Sequence, residues 1–152
     1  MSSTFRTHLR DDRGVAGGAD ILFFGVIMIT FTALVITNAW LAIDASLAVS
    51  AASREGARTF VESEPTTAHA QSVAAMTEVM DQYGRSDGSF SQSISVEGGT
   101  FARCAVVTTT ANYDIDLLSV PLFGSFGSYS ITANHSERID PFRSGNFEGT
   151  CA

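Results

Sequence analysis

Few residues in this chain have the type and spacing to carry out a reaction. Three histidines occur in its 152 residues, His8, His69 and His135, and no two share a local motif. HExxH, a Walker loop and GxGxxG are all absent, so zinc-hydrolase, P-loop and dinucleotide chemistry lack their usual sequence carriers. Asp114 and Asp116 have the spacing of a carboxylate pair, but alternate positions on the wet face of a strand account for them more simply. The stretch Asp81–Ser89 (DQYGRSDGS) carries too few acidic ligands for a calcium loop. Asn134-His135-Ser136 spells a glycosylation sequon, a triplet common by chance. The expectation is a non-enzyme with no cofactor and no metal site.

The cysteines carry the remaining chemistry. Cys104 and Cys151 are the only two and lack CxxC spacing, which argues against metal or redox-motif roles. Either they bridge, pinning the glycine-containing tail FRSGNFEGTCA against a strand, or they remain free thiols with Cys151 in a frayed terminus. A bridge over a loop of this length is worth about 4 kcal/mol by chain entropy and fits an oxidising compartment.

The elements around these residues begin with one dominant feature. From Ile21 to Ile43 the chain runs 23 residues without a charge, and about 20 suffice to cross the hydrocarbon core as a helix. Asp20 and Asp44 bracket the run, and an Asp at the bilayer centre would cost about 2.5–3.5 kcal/mol. Thr30, Thr32, Thr37 and Asn38 are tolerable in such a helix, since threonine can bond back to its own backbone. Trp40 suits the interface. Arg6, Arg10 and Arg13 precede the span while Arg54 and Arg58 follow it, so the positive-inside rule places the N-terminus in the cytoplasm by a small margin. Val49-Ser50-Ala51 resembles a signal-peptidase site, which would release a domain starting at Ala52. An h-region is usually about 7–15 residues, whereas this run has 23.

Past the span, residues 44–63 are alanine-rich and proline-free, so the helix continues to about Ser63, where Pro65 stops it. A helix from Asp20 to Ser63 would be roughly 65 Å long. Arg58 can pair with Glu62, and Glu55 with Arg58. Ala45, Ser46, Ala48, Ser50, Ala51, Ala52, Ser53, Gly56 and Ala57 allow close backbone approach, either to the chain's own domain or to copies and relatives of itself. A second helix is expected over Thr67–Tyr83, with Val73, Met76, Met80 and Tyr83 as its apolar stripe. Thr66 or Thr67 would cap its start and Gly84 its end. Residues 84–93 read as a polar loop.

Strands follow at Ile94–Glu97, Ala102–Leu117 and Tyr129–Ile139. Ala105, Val107, Thr109, Ala111, Tyr113, Ile115 and Leu117 form the inward face of the second, with Cys104 at its start. Tyr129, Ile131 and Ala133 form the inward face of the third. The link SVPLFGSFGS is apolar for a loop. The expected class is α+β: a long N-terminal helix, a second amphipathic helix and a small antiparallel sheet. The organisation is 1–19 as tail, 20–63 as long helix with its span at 21–43, and 64–152 as the extracytoplasmic domain. The net charge of −7 argues against nucleic acid as a partner. All nine basic residues are arginine, a bias that carries no mechanism.

In this order DDRG (Asp11–Gly14), GGAD (Gly17–Asp20), the apolar run, ASREGAR (Ala52–Arg58) and IDPFRSG (Ile139–Gly145) make the chain resemble TadE-like pilus assembly proteins. These are the minor pilins or pseudopilins of tight-adherence (Tad) systems, and the likeness is greatest to actinobacterial members. It covers nearly the whole chain. The resemblance implies a membrane-anchored precursor cut by prepilin peptidase after a glycine, here Gly14, which makes Val15 the mature N-terminus. Gly17 and Gly18 are other cut positions. It also implies an acidic residue that assists assembly, here Asp20, and as partners the bilayer, other pilin-like subunits and the pilus machinery. Asp20 departs from the family's pattern, being Asp where Glu is usual and falling at mature position six instead of five. Read from the residues alone, Asp20 is equally a helix cap.

Overall fold

The computed structural model describes residues 13–116, 119–120, 124–125, 127–144 and 151. The chain belongs to the α+β class, with a long apolar N-terminal helix, a second helix and a three-stranded antiparallel sheet. Helix α1 covers Arg13–Glu62 and α2 covers Ala68–Gln82. Strand β1 spans Phe90–Val96, β2 Val106–Asp116, β3 Ser119–Val120, β4 Gly124–Ser125 and β5 Ser128–Arg138. The main sheet has the order β1-β2-β5, with β2 central. The chain divides into two compact units, residues 1–37 and 38–152.

In the first unit every described position of α1 from Ile21 to Phe24 is exposed, with Ile21 at 74% and Phe23 at 72%. Thr30 and Thr37 donate to the carbonyls of Val26 and Ala33, at 2.8 and 2.9 Å. Those bonds satisfy the hydroxyls within the helix itself.

In the second unit the same helix is the spine of a core. Ala45, Ala48, Val49, Ala52, Ser53, Gly56, Ala57 and Phe60 are buried, three or four residues apart, which is one helical face. They meet Met76 and Met80 of α2 and the inward side chains of the sheet. Gly56 marks the tightest approach: a Cβ there would lie 2.4 Å from Cγ of Met76. The Ser72 hydroxyl donates to the Gly56 carbonyl at 2.7 Å, so the crossing is polar as well as close. The choice left open for the small residues is thereby made for most of them. They pack on the chain's own domain, leaving Ser46 exposed and Ser50 and Ala51 half-buried.

The second helix places its stripe differently from expectation. Ala68, Ser72, Met76 and Met80 are buried, whereas Val73 is half-buried and Tyr83 is exposed. Ser72 escapes a hydrophobicity count because its burial depends on the hydrogen bond to Gly56. Thr67 occupies the N-cap without capping, since its hydroxyl donates backward to the Glu64 carbonyl at 3.3 Å. Gly84 ends the helix at φ +66°. Its N–H donates to Asp81 O and that of Arg85 to Met80 O, both at 2.8 Å, which is the Schellman closure that needs a left-handed glycine.

Strand β1 begins at Phe90, inside the expected polar loop, because FSQSISV alternates and pairs from Phe90↔Tyr113 to Val96↔Val107. Strand β2 buries Val107, Thr109, Ala111, Tyr113 and Ile115 as expected. It starts at Val106, leaving Cys104 in the preceding turn at φ +65°. On β5, Ile131 is buried and Ala133 half-buried, but Tyr129 is 56% exposed, at the end of an edge strand with a neighbour on one side only. The link expected to be a loop contains the short ladder of β3 and β4, paired Ser119↔Ser125 and Val120↔Gly124. Leu117 lies outside the described residues.

Candidate functional site

Gly14 and Val15 fall in the first turn of α1, and Asp20 is exposed eight positions into the helix. Helix already formed at Arg13 corrects two expectations. The long helix starts before the expected Asp20, and Asp20 is not the N-cap, because an N-cap residue stands outside the helix it closes. Asp20 therefore places a carboxylate on the side of a helix at the border of an apolar run. That run has mean hydropathy 2.2, and the helix is long and apolar enough to cross a membrane.

A charged cluster follows the apolar run. The Asp44 Oδ2 accepts from Nε and Nη2 of Arg85 at 3.2 and 2.9 Å, and Nη2 also reaches the Leu41 carbonyl at 3.4 Å. The guanidinium lies 5.2 Å from the centre of the Tyr113 ring, and the Tyr113 hydroxyl donates to Asp87 Oδ2 at 3.2 Å. Burial, then the negative charge of Asp87, pushes the Tyr113 phenol above its ordinary pKa, while Arg85 pulls against them. This cluster fastens α1 to the α2–β1 turn and to the central strand. Sequence reading placed Arg85 and Asp87 in a polar loop. The signal that would have found them is a basic residue directly after a helix-ending glycine, matched by an acid at the end of an apolar run.

A second cluster closes the far end of α1. No basic residue lies in the helix's last turn, yet its last carbonyls have a partner. The Arg143 guanidinium donates to the carbonyls of Val61, Glu62 (3.0 Å) and Ser63 (2.7 Å). It also lies 5.5 Å from the centre of the Phe101 ring, which stacks on Phe60 at 5.5 Å. Arg143 is carried by a segment anchored at Ile139, whose backbone exchanges hydrogen bonds with the Cys104–Ala105 turn. Cys104 and Cys151 lie at disulfide distance, with Cα atoms 5.5 Å apart, within the usual span for a bridge.

The candidates for catalysis do not converge. His69 is exposed, and His135 pairs with Glu137 at 3.5 Å on its own strand. Asp114 and Asp116 are exposed on the wet face of β2. Among the described residues, no group of three or more His, Cys, Asp and Glu side chains could hold a metal ion. Gly84–Gly88 (GRSDG) spells the GxSxG pattern without forming a nucleophile elbow. A nucleophile elbow runs from strand into helix. Here helix α2 runs into strand β1, and the Ser86 hydroxyl donates to Asp81 at 2.8 Å.

No protein family, no curated protein and no solved structure matches the chain.

Proposed function

We propose that this chain is a non-catalytic, membrane-anchored subunit of Tad-type pilus assembly, a minor pilin or pseudopilin. The observation that carries the reading is the two-part use of α1. Residues 21–36 expose Ile, Phe, Val and Met side chains that water would not tolerate as a contiguous surface, while one face of residues 45–60 is buried in an α+β domain. The order of sequence segments that resembles TadE-like proteins adds the family. Residues 21–43 form the single span, with the N-terminus cytoplasmic and the domain outside. The arginines before the span and the cysteine pair's fit to an oxidising compartment support that topology.

On this reading prepilin peptidase cuts after Gly14. The Asp20 carboxylate at the membrane border then accepts the new Val15 amine of a neighbouring subunit, because an acid near the hydrocarbon needs a cationic partner. Replacing Asp20 by Ala is expected to abolish piliation while leaving membrane insertion intact, read by electron microscopy and membrane fractionation. Normal pili in Asp20→Ala would remove Asp20 from the mechanism. One observation favours a second reading, a signal-anchored domain that binds an envelope partner without entering a filament: most of the small residues expected at a subunit contact are already buried in the chain's own core.

A further inference from the structure

One flank of α1 and the outer side of α2 leave an open groove of about 420 Å³, lined by Ala51, Glu55, Ala75, Glu78, Val79 and Tyr83 among others. Its floor is alanine, which permits a close backbone. The two helices run antiparallel, since Arg85 beyond the end of α2 reaches Asp44 while Ser72 near its start reaches Gly56. Travelling from Asp44 toward Glu62, the groove therefore presents Tyr83 and Val79, with Gln82 beside them, before Glu78, Ala75 and Glu55. The outermost line of α1 has the matching order. Leu47 is 58% exposed, and exposed Arg54 and Arg58 follow it at seven and eleven positions on the same stripe. Arg58 pairs with exposed Glu62 at 3.0 Å, with Glu55 and Glu137 adding attraction, and an exposed pair of this kind is weak enough to exchange.

We infer that the groove between α1 and α2 receives the Leu47–Arg54–Arg58 ridge of a second copy of this chain. Leu47 enters between Val79 and Tyr83, and Arg54 and Arg58 meet Glu78 and Glu55. The inference deepens the proposed function and rests on its membrane anchor, because copies anchored in one bilayer share one orientation, and the two sequences of apolar then charged groups match only when parallel. Groove and ridge are different surfaces, so the contact is heterologous and repeats from copy to copy without closing on itself.

The test uses the full chain in its native membrane with a photo-crosslinking amino acid in place of Leu47, and the same probe in place of Ser93 on β1 as control. The expected result is a homodimer adduct that maps by mass spectrometry to residues 75–83 of the second copy, with none from position 93. Glu78→Arg or Arg54→Glu alone should lower the yield about fivefold, and the two together should restore it. An adduct on α1 of the second copy, an adduct on another protein, or no copy-to-copy adduct overturns the inference. Loss of the adduct with pili intact overturns the groove and leaves the pilus reading standing. An adduct without pili or processing overturns the pilus reading and leaves the groove.

Discussion

The two parts of α1 use opposite residues for opposite surroundings. Between Ile21 and Ile36 the helix carries large apolar side chains and leaves them outside, with Phe24 at 64% and Ile29 at 72% exposure. Between Ala45 and Ala57 it carries mostly alanine, serine and glycine and buries them. Burial of apolar area stabilises by about 25 cal/mol per Å² in either case. On the proposed reading, what differs is the medium that removes the area from water, lipid for the first part and protein for the second. Lipid accepts large side chains in any rotamer, whereas a protein neighbour rewards a surface small enough for backbones to touch. Along α1, small side chains thus mark most of the positions buried within the domain, and large apolar ones mark most of those left outside.

Substitutions that exchange the demands of the two parts would break that contrast. The largest effect is expected for Ile29→Asp, which places a charge in the middle of the apolar run at a cost of about 2.5–3.5 kcal/mol for insertion. Carbonate extraction should release the variant, while the near-UV circular dichroism of the 38–152 unit stays as in the parent chain. Next is Gly56→Val. Its side chain would run into buried Met76, and overpacking of this kind costs about 1–3 kcal/mol. Thermal unfolding in detergent should fall accordingly, with membrane insertion unchanged.

Arg143→Gln sharpens the comparison by removing the guanidinium that the end of α1 takes from a distant segment. Leaving carbonyls without that donor costs about 1–3 kcal/mol, and hydrogen exchange should rise over residues 58–63 with little change at 45–52. The smallest effect concerns Tyr113. Its raised pKa means the folded state holds the phenolic proton more tightly, so that contribution is full below about pH 10 and is lost as pH rises through the folded value. Tyr113→Phe should flatten the alkaline limb of the stability profile and, by removing the hydroxyl bonded to Asp87, lower stability at neutral pH by about 0.5–1.5 kcal/mol.

Much of this was legible in the sequence because it depends on period and composition. The uncharged run, the helix continuing to Pro65 and the inward face Val107–Ile115 all follow from local pattern. What escaped depends on distant partners. Ser72 is buried because of Gly56, Arg143 is placed by a turn some 80 residues from the carbonyls it serves, and Arg85 is fixed by Asp44 across 41 positions. Tyr83 and Tyr129 failed in the other direction, since an aromatic at the end of a stripe or strand has the right phase but too few neighbours. The role proposed for Asp20 came from resemblance alone, and the fold adds only that it lies within a helix and not at its cap.

The mature N-terminus tests the central claim most directly, read by intact mass and terminal peptide mapping of the membrane fraction. The proposed processing predicts a chain beginning at Val15. A chain that keeps Met1, or loses only that methionine, would contradict pilin-type processing and leave a permanent signal anchor, and a start at Ala52 would contradict the membrane anchor itself.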